Sequence, residues 1–427
     1  MVGKRRRLWM KYLYACCLMC LLGIVNSSFA NTLVVPTDYT TIQLAIDAAV
    51  AGDIVSVEPG TYHESIDFLG KEITVSGSTG LPEDTVLDGS SFSGAVVSFT
   101  SGETINSILS GFTVRNGSAF QGAGVLIKNA SPILIDCLIK DNQTSGSGGG
   151  LFAESGVVTL ENVTVSNNNS SDAGGGAYFK FCEGSFTDCI FRNNSATNGG
   201  AIYFKDSTGD FLMSNSQLMI NTANSDGGCI FNKATNLIIQ DCSFSRNMAN
   251  KGGALFSYAG GNATISNSLF SNNGASMTGG AAEVRSASVV SFVQCTFDAN
   301  IADIDCDGVG GGAVLEVAGS TVTLNNPTIC ANLVCDVAGD FSGIQPVIIG
   351  EILECVIGIG ACCGGDACWE MEESDCLNGG GLWSGDTTLC ATVTCEAANS
   401  CPADVNGDGE VEVMDIIELI TAWGACP

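Results

Sequence analysis

A chain of 427 residues with 45 acidic and only 16 basic side chains has no obvious surface for nucleic acid or for an anionic membrane. Five of those basic residues (Lys4, Arg5, Arg6, Arg7 and Lys11) lie in the first eleven positions, so the remainder is more acidic still, at about −34. Such a balance fits an exported protein able to use divalent cations.

Residues 1–30 read as a secretory signal: a basic start, an apolar run from Tyr12 to Val25, and Ser28-Phe29-Ala30 as a small-residue cleavage site. The run is short for a transmembrane anchor, and no later stretch is long and apolar enough to span a membrane. The mature protein is therefore expected outside a bacterial cell, secreted or at its surface. Export permits disulfides among the 18 cysteines that remain of 21.

Residues 31–350 carry the main fold. Thr41 to Ala49 has helical periodicity with Thr40 or Thr41 as its cap, and is placed to cover the open end of a solenoid. Strand-like runs follow at Asp53–Val57 and Ile73–Gly77, with the turn Glu58-Pro59-Gly60-Thr61-Tyr62 between them. This opening resembles that of extracellular β-helix proteins in the pectate-lyase-like superfamily.

Beyond it a phrase recurs. It reads Asp136-Cys137-Leu138-Ile139-Lys140-Asp141-Asn142, and its closing asparagine returns at Asn168, Asn194, Asn221, Asn247, Asn273 and Asn300, spaced by 26 or 27 residues. Paired glycines fall between the copies, as in Gly175-Gly176, Gly199-Gly200 and Gly227-Gly228. A fixed period of this size marks a solenoid, and runs rich in β-branched and aromatic residues with no helix-length segment mark a right-handed parallel β-helix. The asparagines are expected to form a hydrogen-bonded ladder along one turn. Cys137, Cys189, Cys242 and Cys295 recur at every second rung, about 9–10 Å apart, too far to bridge, and are expected as inert buried thiols.

The phrases Phe191-Arg192-Asn193-Asn194 with Gly199-Gly200-Ala201-Ile202, Phe244-Ser245-Arg246-Asn247, Phe270-Ser271-Asn272-Asn273 and Phe297-Asp298-Ala299-Asn300 resemble the repeats of chlamydial polymorphic outer-membrane proteins. That resemblance implies a surface-exposed, adhesin-type β-helix. After Asn300 an insertion, Ala302 to Val309, breaks the register, and a last rung is expected to end near Cys330-Ala331-Asn332.

Residues 360–396 change character. Cys362, Cys363, Cys368, Cys376, Cys390 and Cys395 crowd together as disulfide candidates in a piece too small to bury much core. Fifteen pairings are open. In residues 400–427, Asp404, Asn406, Asp408 and Asp415 occupy loop positions that offer side-chain oxygens to Ca2+, with Glu410 offering its carbonyl and Gly409 at the sharp turn. A helix follows, and Cys401 and Cys426 bracket the whole as a further disulfide candidate. Loop and helix resemble one repeat of a type I dockerin, which implies a calcium-dependent attachment repeat with a cohesin-like module as its partner.

No catalytic residue is assigned. Glu283 with Arg285, and Lys180, Lys205, Asp206 and Lys233 on successive rungs, are the best candidates for a lyase site, but they stand at uneven offsets from the paired glycines. His63, the single histidine, lies in the first-rung turn. The leading expectation is a secreted β-helix for adhesion, matrix building or binding a polysaccharide or cell-surface ligand. The alternative is a polysaccharide lyase or glycoside hydrolase acting on acidic polysaccharide.

Overall fold

The computed structural model describes residues 30–349, apart from positions 208, 305, 307–310, 335–336, 339 and 344–345, and beyond them the strands Leu353–Glu354, Gly360–Gly364, Ala367–Met371 and Leu382–Asp386. The chain divides into two units, Met1–Ile352 and Leu353–Pro427. In the second, Gly360–Gly364 pairs antiparallel with both Ala367–Met371 and Leu382–Asp386. The calcium-loop residues Asp404, Asn406, Asp408, Glu410 and Asp415 lie outside the described residues. So do the side chains of Cys362, Cys363, Cys368, Cys376, Cys390, Cys395, Cys401 and Cys426, and the signal segment up to position 29.

The first unit is a parallel β-solenoid. One rung shows the plan: a long strand Leu151–Glu161, then Thr164–Ser166, then Asn169–Ser170, before the chain returns as Ala177–Thr187 directly alongside its starting strand. Three sheets result, called here long, middle and short after their strands. The long strand bends midway, where Ser155 has a φ of 62°. Turns between the sheets need left-handed backbone, which Asn and Asp tolerate best. Asp136, Asn162, Asp188, Asn215, Asp241 and Asn267 accordingly all have φ between 49° and 55°.

Alternate residues of most strands point inward, so Leu151 and Ala153, or Phe179 and Phe186, enter one continuous core. A helix at Ile42–Ala48 sends Ile42, Ala45 and Ile46 into that core. Thr41 caps it by accepting from the Leu44 N–H at 3.2 Å, and the Lys71 ammonium donates to the carbonyls of Ile46, Asp47 and Ala49 at its other end.

The turn before the short sheet holds the asparagines. Asn194 donates from its side-chain Nδ2 and its backbone N–H to Asn221 Oδ1, both at 3.0 Å, and Asn221 does the same to Asn247. Each amide also donates to a strand carbonyl, as Asn221 does to Phe191 O. The ladder is buried and runs unbroken from Asn142 to Asn332, one member further than the seven asparagines at regular spacing. The insertion after Asn300 had hidden Asn332 by stretching the step to 32 residues. Paired glycines make this possible: a methyl on Gly150 would lie 2.7 Å from Gly176 O and 2.9 Å from Asn168 Nδ2.

Cys137, Cys189, Cys242 and Cys295 are free and buried. Burial pushes the Cys137 and Cys189 thiols up to about 12 and those of Cys242 and Cys295 up to about 11, so none is a thiolate near neutral pH. In two of the three rungs between them serine takes the same place, with Ser216 and Ser268 accepting from the N–H of Cys189 and Cys242, and in the first it is Val163. The solenoid does not end at Asn332. Phe341–Gly343 pairs with Leu315–Val317, and Val347–Ile349 with Thr323–Asn325.

Candidate functional site

The first four residues of each long strand form a repeated word: Val125-Leu126-Ile127-Lys128, Leu151-Phe152-Ala153-Glu154, Ala177-Tyr178-Phe179-Lys180, Ile202-Tyr203-Phe204-Lys205, Ile230-Phe231-Asn232-Lys233. Parallel pairing sets these words in register, so their second and fourth positions make two rows on the outer face.

The second-position row is aromatic. Rings of Phe152, Tyr178, Tyr203, Phe231 and Phe256 follow one another at centroid distances of 5.2, 5.2, 4.6 and 5.0 Å. Apart from the half-buried Tyr203 they are buried, although they sit outside the sheet. Phe152, Ala173 and Tyr178 form a small second cluster there, with Leu126 and Tyr203 packed against it. Burial pushes the Tyr178 phenol up strongly and that of Tyr203 to about 12, which keeps both neutral. This row is a support rather than a contact surface.

The fourth-position row is basic and half-exposed: Lys128, Glu154, Lys180, Lys205, Lys233 and then Tyr258. Four of the eleven basic residues outside the signal thus share one line. Glu154 neutralises part of it, accepting from Lys180 Nζ at 2.6 Å, and Lys180 also lies 4.7 Å from the centroid of the exposed Phe181 ring. Lys205 and Lys233 have no ion-pair partner among the described residues. Like charges directly opposite on adjacent strands destabilise a sheet, so Lys205 beside Lys233 carries an electrostatic penalty that no ion pair among the described residues relieves.

Counting from the glycines had suggested that Lys180, Lys205 and Lys233 do not line up, and the structure corrects this. Gly176 stands where the next two rungs have Ala201 and Cys229, so the glycine run varies while the strand register does not. The usable signal was the four-residue word ending in lysine, which also includes the overlooked Lys128. Asp206 lies outside the row, in a left-handed turn just after Lys205.

Further along, the aromatic row gives way to Glu283, which pairs in register with Phe256 on one side and Glu316 on the other. Glu283 is fully buried, accepts from Thr278 Oγ1 at 2.5 Å and forms an ion pair with Arg285. Burial raises its pKa, against the lowering effect of Thr278, Arg285 and Lys251. A carboxylate with no exposed surface cannot touch a polymer, so Glu283 and Arg285 are brought together as an ion pair and not as an open acid–base site.

His63 stands 4.0 Å from Asp88, in the middle sheet's first turns. Burial alone would raise the Asp88 pKa, but hydrogen bonds from Ser90, Asn116 and Arg115 outweigh it and hold the carboxyl well below the usual range. Asp88 also caps the short helical turn Gly89–Ser91, a structural role. Among the described residues no group of three or more His, Cys, Asp or Glu side chains is placed to hold a metal ion, and no helix is long and apolar enough to cross a membrane.

A family model described as a right handed beta helix region matches residues 151–329. The chain is similar to the crystal structure of pectate lyase Pel9A, with 15% identity and a TM-score of 0.45 over 75% of this chain and 80% of that one. It is also similar to the catalytic unit of a thermostable GH87 alpha-1,3-glucanase from Streptomyces thermodiastaticus strain HF3-3, at 15% identity and a TM-score of 0.36, covering 73% of this chain and 65% of that one. A third likeness is to the deglycosylated pectin methylesterase from Aspergillus niger, at 12% identity and a TM-score of 0.30, over 74% and 91% of the two chains. No curated protein sequence matches it significantly.

Proposed function

We propose that this chain is an exported β-helix that binds an acidic polysaccharide along its lysine row. The observation that carries the reading is Lys180, Lys205 and Lys233 stacked in register with no counter-charge for the last two. Rungs repeat about every 4.8 Å, so a linear polymer with one carboxylate per sugar could offer an anion to each amine in turn. The strongly acidic remainder of the surface would repel the same polymer elsewhere and so confine it to the row.

Binding is favoured over lyase or hydrolase chemistry because neither acid beside a base on this face is open: Glu283 is buried against Arg285, and Glu154 is engaged by Lys180. The helix Ile42–Ala48 serves as the cap of the first rung. Residues 400–427 serve as a calcium-binding attachment repeat through Asp404, Asn406, Asp408, Glu410 and Asp415, a role supported by their loop spacing alone. Adhesion or matrix building follows from a protein that holds a polymer on its side and is tethered at its end.

Isothermal titration of the full chain with polygalacturonate tests the proposal. Binding is expected, weakening with added salt, and falling by about thirtyfold or more, roughly 2 kcal/mol, when Lys205→Glu and Lys233→Glu are combined. No binding, or binding indifferent to both changes, overturns it.

A further inference from the structure

The short sheet carries a second surface, chemically unlike the lysine row. Its outer face is hollowed by a shallow groove of about 530 Å3, with Phe120 on its wall. Ser93, Ser118, Gln143, Ser145 and Ser171 supply most of the rest, and no charged residue lines it. Three successive rungs build it, since Ser118 pairs in register with Gln143 and Gln143 with Asn169, the strand that leads into Ser171.

Phe120 is 70% exposed, the highest value of any large apolar side chain among the described residues. A single exposed phenylalanine is unremarkable by itself, but this one is held in place. Its carbonyl accepts from the Gly146 N–H at 3.0 Å, and its ring lies against the Gly146 backbone, where a methyl would come within 3.2 Å of Cε2 and 3.3 Å of Cζ. Gly146 thus gives the ring a seat while much of it stays open to solvent. Around it, the side chains of Ser93, Ser118, Gln143 and Ser145 make no hydrogen bond with any described residue, so their donors and acceptors face the groove unused.

An anchored aromatic surface beside free hydroxyl and amide groups, without charge, matches the chemistry of a neutral sugar ring. Such a ring has an apolar C–H face to lay on phenylalanine and an equatorial rim of hydroxyls that both donate and accept. We infer that the groove at Phe120 is a binding site for a neutral glycan, separate from the lysine row on the long sheet. An apolar peptide is the poorer fit, because burying four unpaired polar side chains beneath it would leave them unsatisfied. The protein would then hold two kinds of chain at once, a neutral one on the short sheet and an acidic one on the long sheet.

The test is to probe the full chain against an array of neutral oligosaccharides built from glucose, mannose, galactose and xylose, with apolar peptides included as a separate arm. At least one neutral oligosaccharide is expected to bind. Phe120→Ala should weaken it by about tenfold or more, and Gln143→Ala by a smaller factor. The combined Lys205→Glu and Lys233→Glu variant should bind the same neutral sugar as the parent, which separates this inference from the proposal for the lysine row. Absence of any neutral ligand, binding unchanged in Phe120→Ala, or capture of apolar peptides in place of sugar would each overturn it.

Discussion

Two stacks of identical polar side chains run along this solenoid at the same one-rung step, and they behave in opposite ways. The asparagines from Asn142 to Asn332 satisfy one another: each amide donates to the next oxygen and each oxygen accepts from the previous residue. The lysines at 180, 205 and 233 repeat as faithfully, yet an ammonium has only donors and its neighbour above is another ammonium. Repetition of a self-complementary group completes the fold from within. Repetition of a self-repelling group leaves a demand that a ligand can meet. Two neighbouring stacks give the same lesson, because Glu154 interrupts the basic row and Asn162 interrupts a column of aspartates by donating to Asp136 Oδ1 at 2.7 Å.

The comparison breaks most easily at the ladder. Asn221→Leu would strand the buried N–H of Asn194 and take one partner each from the Asn194 amide, the Phe191 carbonyl and the Asn247 oxygen. The expected loss is about 3 kcal/mol or more in urea unfolding. Asn262→Ala removes a single exposed acceptance from the Val289 N–H and should lose well under about 1 kcal/mol. Equal effects at the two positions would contradict the self-satisfied ladder.

The turn residue just before each ladder asparagine offers a smaller effect of opposite sign. Ile220 occupies that place with φ of 57°, a conformation unfavourable to a β-branched side chain, and its side chain is 45% exposed. Ile220→Asn should therefore raise stability by about 1 kcal/mol, again by urea unfolding.

Glu283 sharpens the contrast through pH. Its folded pKa is raised chiefly by burial, so its stabilising contribution is present below the unfolded value, about 4.3, and is lost as pH climbs through the folded value. Plotting unfolding free energy against pH for the parent and Glu283→Gln should show the parent losing ground to the variant as pH rises from about 4 towards neutrality. Parallel curves would mean that the carboxyl is as comfortable ionised in the fold as out of it.

The least of these effects belongs to the lysine row itself. Lys205→Gln should leave stability unchanged or raise it by about 0.5 kcal/mol, because it removes a repulsion and no bond. A clear loss of stability would show that the row is structural after all.

Much of the solenoid could be read from the chain because its constraints are local and periodic. The period is legible in the asparagines, and the turn positions in the Asp/Asn pairs that take left-handed backbone, as at Asp136 and Asp141. Asn332 is legible as the end of a rung but not as a ladder member, because an insertion alters its spacing, and the rung after it lacks the phrase altogether. The site was harder to read. Lys180, Lys205 and Lys233 stood out as residues, but their alignment depends on strand register, which glycine counting misjudged by one position. Net charge misled as well, since −29 for the chain says nothing about a row that gathers four of its scarce cations. The groove at Phe120 has no sequence signature, because its serines and glutamine look like ordinary loop residues until three rungs bring them together.

The central claim is that Lys180, Lys205 and Lys233 form one line that a polyanion occupies. Acetylation of amines, quantified by mass spectrometry at each lysine with and without polygalacturonate, tests it most directly. The account predicts that the polymer protects Lys205 and Lys233 most strongly and Lys180 less, since Glu154 already engages it, and leaves Lys140 on the middle sheet as reactive as before. Uniform protection of all four lysines, or none at any of them, would contradict it.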